Sequence, residues 1–173
     1  DIFTKKSEGK RRGAVHGGPW SLRLRQNVLP RQTESFGLFT PGGEPVVVEF
    51  RGFKLGLGIC EDIWQPGLPA RTCAAGADLL LVINGSPFEV GKQARREAMI
   101  TTRALETGRP LVYLNLVGGQ DELVFDGSSC VVDAGGQIVF RAPAFAAGLH
   151  LLRFRREGDG RVAPVPGPVV PLL

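Results

Sequence analysis

An apolar run, Leu55-Gly56-Leu57-Gly58-Ile59, ends on Cys60 and is followed at once by Glu61 and Asp62. Polarity therefore switches at the sulfur. A thiol at such a junction is presented to a polar turn, where a neighbouring group can withdraw its proton and make it a nucleophile. A lone cysteine here also reads as a small core side chain closing a strand. A working thiol needs a base, an orienting group and N–H donors for a developing oxyanion. Of the two histidines, His16 lies in an irregular N-terminal stretch. His150, expected on a late strand, reads more readily as a packed or surface residue than as a base. A carboxylate or lysine is the better partner. Glu61, as a strand neighbour of the thiol, points to the other face. Glu61 and Asp62 thus suit holding the turn, and the backbone N–H of Glu61 suits an oxyanion donor.

Two further polar clusters follow apolar runs: Asn84-Gly85-Ser86-Pro87-Phe88-Glu89-Val90-Gly91-Lys92 and Gly118-Gly119-Gln120-Asp121-Glu122. Ligands of open α/β sheets bind outside strand ends, so a thiol, a Ser/Lys turn and a Gln-Asp-Glu loop can share one pocket. Glycine-rich polar stretches are also simply loops. The Gly118-Gly119 pair is not a phosphate loop, because no Gly-Lys-Ser/Thr ending and no helix follow it.

The elements that must position these residues begin at Pro45. Residues 46–50 and 53–59 read as strands whose short Arg51-Gly52 link makes an antiparallel hairpin. Residues 66–76 read as a short helix, and 78–83 as a strand covered on both faces. Residues 91–107 form the longest helix candidate, with Ala94, Ala98, Thr102 and Leu105 as its core-facing stripe. Gly108 and Pro110 stop it, and 111–116 is again a buried strand. Alternating strands and helices are the α/β signature. Short strands follow at 123–125, 129–132, 137–141 and 149–154. Before Pro45, only the Leu22–Leu24 alternation suggests an edge strand. Three segments result: a basic, poorly patterned leader over 1–35, a body over 36–156, and a Pro/Gly-rich linker over 157–173.

Composition narrows the function classes. The chain has 173 residues, 43% hydrophobic and 22% charged, values of a soluble globular protein with a real core. Its net charge of +4 is concentrated in residues 1–31, which hold eight Lys/Arg against two acids. The body is near neutral, without a basic face interleaved with aromatics, which argues against nucleic-acid binding. No apolar run approaches a bilayer span and no secretory signal is visible. Three cysteines, Cys60, Cys73 and Cys130, contain no C-x-x-C pair. That argues against a disulfide scaffold and a zinc site, and for a reducing cytoplasm.

Three stretches together carry a resemblance: Gly58-Ile59-Cys60-Glu61-Asp62-Ile63-Trp64, then Asn84-Gly85-Ser86-Pro87-Phe88 through Gly91-Lys92, then Val117-Gly118-Gly119-Gln120-Asp121-Glu122-Leu123-Val124-Phe125-Asp126-Gly127-Ser128. In order and spacing they resemble the nitrilase-type, or carbon-nitrogen hydrolase, glutaminase domain of glutamine-dependent NAD+ synthetases. The resemblance implies a four-layer α-β-β-α sandwich, here without its first strand, and a Glu-Lys-Cys triad. It matches Cys60 to the nucleophile that attacks the glutamine amide, releasing ammonia and leaving a thioester for water to hydrolyse. Ser86 and Lys92 match glutamine-contacting positions, and Glu61 joins them as a substrate-binding position. It implies no metal or cofactor for this step. ATP and magnesium belong to a synthetase domain, the expected partner and ammonia acceptor, which this chain lacks. Assembly into a homo-oligomer is expected as well.

The N-terminal stretch departs from that pattern. The family's general-base glutamate lies on a first strand that is not in this sequence. Where the family has Lys-x-x-Leu-Pro-Asn-Tyr, this chain has Gln26-Asn27-Val28-Leu29-Pro30-Arg31-Gln32. Gln26 thus takes the lysine's place and Gln32 the tyrosine's, and Glu34 falls near a second glutamate at altered spacing. Arg25 is one residue off, which on a strand turns a side chain to the opposite face. Gln26 carries no charge to lower the thiol pKa. Losing one oxyanion donor costs about a hundredfold to a thousandfold in rate. The expectation is a glutaminase domain of weak or lost activity. The alternatives are a non-catalytic interaction module and an amidase acting on another amide.

Overall fold

The computed structural model describes residues 44–172. The expectations for Leu22–Leu24, His16, Arg25, Gln26, Gln32 and Glu34 lie outside these residues. Strands β1 (Val46–Phe50) and β2 (Phe53–Ile59) form the expected antiparallel hairpin. A 3-10 turn (Cys60–Ile63) and helix α1 (Gly67–Ala74) lead to β3 (Leu79–Asn84). Helix α2 (Lys92–Thr107) and β4 (Leu111–Asn115) follow. Then come β5 (Val117–Gln120), β6 (Leu123–Asp126), β7 (Cys130–Val132), β8 (Ile138–Arg141), β9 (Phe154–Arg156) and β10 (Val162–Pro164).

Six strands make one mixed sheet in the order β1-β2-β3-β4-β7-β8. The central β2, β3 and β4 are parallel, in the register Ile59↔Ile83 and Asn84↔Asn115. Their carboxyl ends therefore share one sheet edge, and that edge carries Cys60, the Asn84–Ser86 turn and Asn115. Strand alternation divides the side chains between two faces. Leu80, Val82, Leu111, Tyr113, Cys130 and Val132 face the helices and pack with Met99, Ile100 and Ala104. Val112 and Val131 face the other way and meet Phe140, Leu152 and Phe154. The β9–β10 hairpin reaches that other face through Phe154, and Leu114 on it is 53% exposed. The architecture is the α/β arrangement expected, represented by its helix layer and one sheet layer.

Gly56 shows how closely α1 approaches the sheet. A Cβ built there would lie 2.4 Å from Thr72 Cγ2 and 2.9 Å from both Ala77 Cβ and Leu80 Cδ2. Helix α2 ends as its sequence predicts: Gly108 takes a left-handed φ of 62°, and its N–H returns to the Ala104 carbonyl at 2.8 Å. Its core stripe, however, is not the expected one. Arg96, Glu97, Met99, Ile100 and Ala104 are buried, whereas Ala94, Ala98, Thr102 and Leu105 are not, and Leu105 is 58% exposed. The two charges sit inside because each has a distant partner. Arg96 holds Asp126 and Glu97 holds Arg141. An apolar-stripe reading discards charged positions and so rotates the helix away from its true face.

Three further expectations change. The Gly118–Gln120 stretch, read as a loop, is strand β5, paired in a separate hairpin with β6. The strand expected over 149–154 begins only at Phe154, because its ladder partner is β10 rather than the main sheet. Residues 157–173, expected to be linker-like, contain β10. There Val162 is 3% exposed, and Val169 bridges Arg141. Arg156 fastens the β9–β10 hairpin to the body through Asp78 and the Gly52 carbonyl, both at 2.8 Å.

Candidate active site

Strand β2 delivers Cys60 to the sheet edge, and the backbone then turns sharply. Cys60 has φ 49°, a left-handed conformation uncommon for a residue with a side chain. The turn is held by Asp62, whose buried carboxylate accepts the Ile59 N–H at 2.9 Å. The sequence assigned Glu61 and Asp62 to this task, and Asp62 performs it. Glu61 is half-buried beside the thiol.

Register brings the second motif to the first. Because Ile59 pairs with Ile83 in parallel, the turn after β3 lies alongside Cys60. Burial pushes the Cys60 thiol pKa up. The Gly85 N–H acts in the opposite direction, the Glu61 carboxylate raises it further, the Glu61 N–H lowers it, and the Asp62 charge raises it again. No cation among the described residues contributes. The backbone groups that lower the thiol pKa are thus those of Gly85 and Glu61. The Glu61 N–H is the group that the sequence offered as an oxyanion donor.

Ser86 is 6% exposed and immobilised on every side. Its N–H donates to Asn115 Oδ1 at 2.9 Å and its carbonyl accepts Asn115 Nδ2 at 3.2 Å. Its hydroxyl accepts Arg96 Nε at 3.1 Å, which leaves the hydroxyl proton free to be donated. Lys92 begins α2 and is half-buried. It stands one turn before Arg96, and residues four apart share a helix face. The structure thus groups Cys60, Glu61 and Ser86 at the sheet edge, and no described contact joins the Lys92 side chain to them. Gln120, Asp121 and Glu122, by contrast, are exposed at the tip of the β5–β6 hairpin. No described contact brings them to the thiol.

His150 is exposed, and its ring lies 5.3 Å from that of Phe140. It lines a cavity of about 200 Å³ together with Val112, Leu114, Phe140 and Leu149, a cavity that does not include Cys60. It is a packed surface residue, as the sequence favoured. Among the described residues no cluster of His, Cys, Asp and Glu is set to hold a metal ion.

Four residues escaped the sequence. Arg96, Asp126, Asn115 and Tyr113 are all buried behind the thiol turn. Tyr113 is fully buried, and burial pushes its phenol up to about 12, partly offset by the neighbouring Ser86 hydroxyl and the Arg96 charge. Although Ser86 is close, the Tyr113 hydroxyl completes no hydrogen bond among the described residues. The usable signal was an arginine in the middle of a helix whose real core positions, Met99, Ile100 and Ala104, run on from it at three- to four-residue spacing.

With this geometry in place, comparison with known proteins is informative. The family model described as "Carbon-nitrogen hydrolase" matches residues 17–157, beginning within the stretch set apart above as leader. A glutamine-dependent NAD(+) synthetase from Xylella fastidiosa (strain Temecula1) is 49% identical over 132 residues, covering 72% of this chain and 24% of the relative. A solved glutamine-dependent NAD+ synthetase from Acinetobacter baumannii superposes with a TM-score of 0.78 at 30% identity, over 97% of this chain and 33% of that one. An amidase from Nesterenkonia sp. AN1, solved with acrylamide added at its active-site cysteine, superposes with a TM-score of 0.60 at 30% identity. It covers 72% of this chain and 48% of its own. The chain thus spans about a quarter of the length of the curated relatives it matches.

Proposed function

This chain belongs to the carbon-nitrogen hydrolase family, and from that premise we propose that it is the glutaminase portion of a glutamine-dependent NAD+ synthetase. The Cys60 Sγ attacks the side-chain amide carbon of glutamine. The carbonyl oxygen becomes an oxyanion, the proton given up by the thiol passes to the amide nitrogen, and as the C–N bond breaks ammonia leaves and a γ-glutamyl thioester remains. Water then attacks the thioester, freeing glutamate and restoring the thiol. The N–H groups of Gly85 and Glu61 are the donors for the negative charge. Ser86, Lys92 and Glu61 receive the amino-acid end of the substrate, whose carboxylate and ammonium groups call for groups of both signs. Ammonia passes to a synthetase domain in the part of the relatives that this chain does not span, and ATP and magnesium act there. Homo-oligomeric assembly and a reducing, cytoplasmic setting, suited to three free thiols, complete the proposal.

The observation that carries this reading is the placement of Cys60. A thiol on a left-handed turn stands at the carboxyl edge of a parallel sheet, in register with the Asn84–Ser86 turn. Burial and two carboxylates outweigh the backbone N–H groups and hold the thiol pKa above its ordinary value. Among the described residues no cation offsets that rise. Gln26, which falls where the family has lysine, predicts slow turnover. The test is release of ammonia from glutamine by this chain and by Cys60→Ala. Slow release that vanishes in Cys60→Ala is expected, and release that survives the substitution refutes the assignment. The likeness to an amidase favours a second reading, hydrolysis of a different amide. That reading requires Cys60-dependent ammonia from small aliphatic amides and none from glutamine. A chain that folds yet releases ammonia from neither is a non-catalytic member of the family.

A further inference from the structure

We propose that Arg103 is a positioning residue for the Cys60 thiol, because it holds the far end of the 3-10 turn on which Cys60 stands. The inference rests on the reading of Cys60 as a nucleophile but concerns a residue to which that reading gives no role.

Arg103 lies two turns after Arg96 on α2, next to the buried Ala104, and its side chain is largely buried. One edge of its guanidinium faces the thiol turn. Nε donates to the Ile63 carbonyl at 3.1 Å and Nη2 to the Trp64 carbonyl at 3.2 Å. The remaining nitrogen, Nη1, pairs with Glu106 one turn on. The last carbonyls of a helical turn have no partner within it, and here two of them are answered by one planar fork. Fixed donor directions hold the two carbonyls in a set relation, and the positive charge suits the negative end of the turn. Among the described residues, Arg103 is the one side chain from another element that bonds the main chain of residues 60–64.

These bonds reach Cys60 through the main chain. The Ile63–Trp64 peptide, held by Arg103 at its carbonyl, donates its N–H to the Glu61 carbonyl at 3.0 Å. That fixes the Glu61–Asp62 peptide. Asp62 then reaches back past Cys60 to accept the Ile59 N–H at 2.9 Å, and Ile59 is itself locked in the ladder with Ile83. The corner between these two fixed ends is made by Cys60 and Glu61, and Cys60 meets it with φ 49°. For a residue with a side chain that conformation is strained, and it persists only where the surroundings over-determine it. Strand β2 supplies one end of the constraint. Arg103, together with the buried Ile63 side chain, supplies the other. Released at that end, the turn can return Cys60 to negative φ, and the Cα–Cβ bond that aims the sulfur swings with it.

The experiment measures amide hydrogen exchange, resolved by NMR, in the complete chain, together with iodoacetamide alkylation of Cys60 at pH 7.5. In Arg103→Met, exchange at the Ile59 and Trp64 N–H groups is expected to quicken about tenfold through local opening, while the amides of β3 and β4 keep their wild-type rates. Cys60 is half-buried in the held turn and should be alkylated about tenfold faster once the turn opens. Arg103→Lys keeps a charged donor for one carbonyl, so it should show both changes to a smaller extent. It decides the question if circular dichroism shows Arg103→Met to be unfolded. Exchange that quickens equally in every strand, with Ile59 and Trp64 no different, overturns the proposal, because that is what an arginine that only stabilises the fold would give. Loosening of the turn with a wild-type rate of Cys60 alkylation overturns it too. Protection of wild-type Cys60 by glutamine is read in parallel. Protection without the Arg103 effects removes the positioning role and leaves the glutaminase reading. The Arg103 effects without protection do the reverse.

Discussion

Tyr113 and Cys60 are neighbours with opposite problems. The thiol stands among backbone N–H groups and two carboxylates, whereas the phenol is buried with no hydrogen-bond partner among the described residues. An unsatisfied buried hydroxyl costs about 1–3 kcal/mol. Tyr113→Phe is therefore expected to leave the melting temperature at neutral pH unchanged or raise it, as thermal denaturation would show. A clear fall would mean that the hydroxyl has a partner beyond residues 44–172. At this scale the sequence was informative about the nucleophile, because a cysteine at a polarity switch is visible in one dimension. It was silent about Gly85, whose role depends on strand register, and about Tyr113, whose neighbours come from other strands and from α2.

At the scale of elements, α2 carries the clearest test. Its ends were legible from Gly91, Gly108 and Pro110, but its buried face was not. Burial of Arg96 and Glu97 depends on Asp126 and Arg141, which lie 30 and 44 residues further along the chain. The structure predicts that Ala98→Glu, on the exposed side, changes stability by no more than about 0.5 kcal/mol. Ala104→Glu, at 0% exposure, should leave an unpaired charge in the core and unfold the chain or cost several kcal/mol. Urea denaturation of both variants distinguishes this phase from the Ala94, Ala98, Thr102 and Leu105 stripe, which would place the larger loss at Ala98. The α1–sheet contact yields a second test at this scale. Gly56→Ala forces a methyl against Thr72, Ala77 and Leu80 and should destabilise by about 1–3 kcal/mol through overpacking. The central strands were read nearly to the residue because each is a short apolar run with turn residues at its ends. The 149–154 strand and the 157–173 linker were misread because short β pairings among Pro, Gly and Val leave little periodicity.

For the whole molecule, the buried neutral groups set a response to alkali. Burial pushes the Cys130 thiol and the Tyr113 phenol up to about 12, from ordinary values of 9.0 and 10.0. The folded state therefore keeps both protons after the unfolded chain has begun to lose them. The stability they contribute is complete below about pH 9 and declines as pH rises toward 12. The urea midpoint should fall steadily between pH 9 and 11, and Tyr113→Phe should flatten the upper part of that fall. Asp78 works in the acid direction, since its hydrogen bond with Arg156 lowers the carboxyl pKa. That pair is partly open to solvent, and its loss on acidification should be slight. The fold class was legible from the order of elements. The two-face division of the sheet was not, because it depends on strand register and on the short β9–β10 pairing that sets Phe154 against Val112 and Val131.

The central claim is that Cys60 stands in a site shaped for the glutamine side chain, and a chloroketone analogue of glutamine tests it most directly. Mass-resolved alkylation of the intact chain should mark Cys60 ahead of Cys73 and Cys130, saturate with reagent, and be suppressed by glutamine but not by glutamate amides lacking the free amino acid end. Labelling of Cys60 at the rate of an ordinary exposed thiol, indifferent to glutamine, would contradict the account.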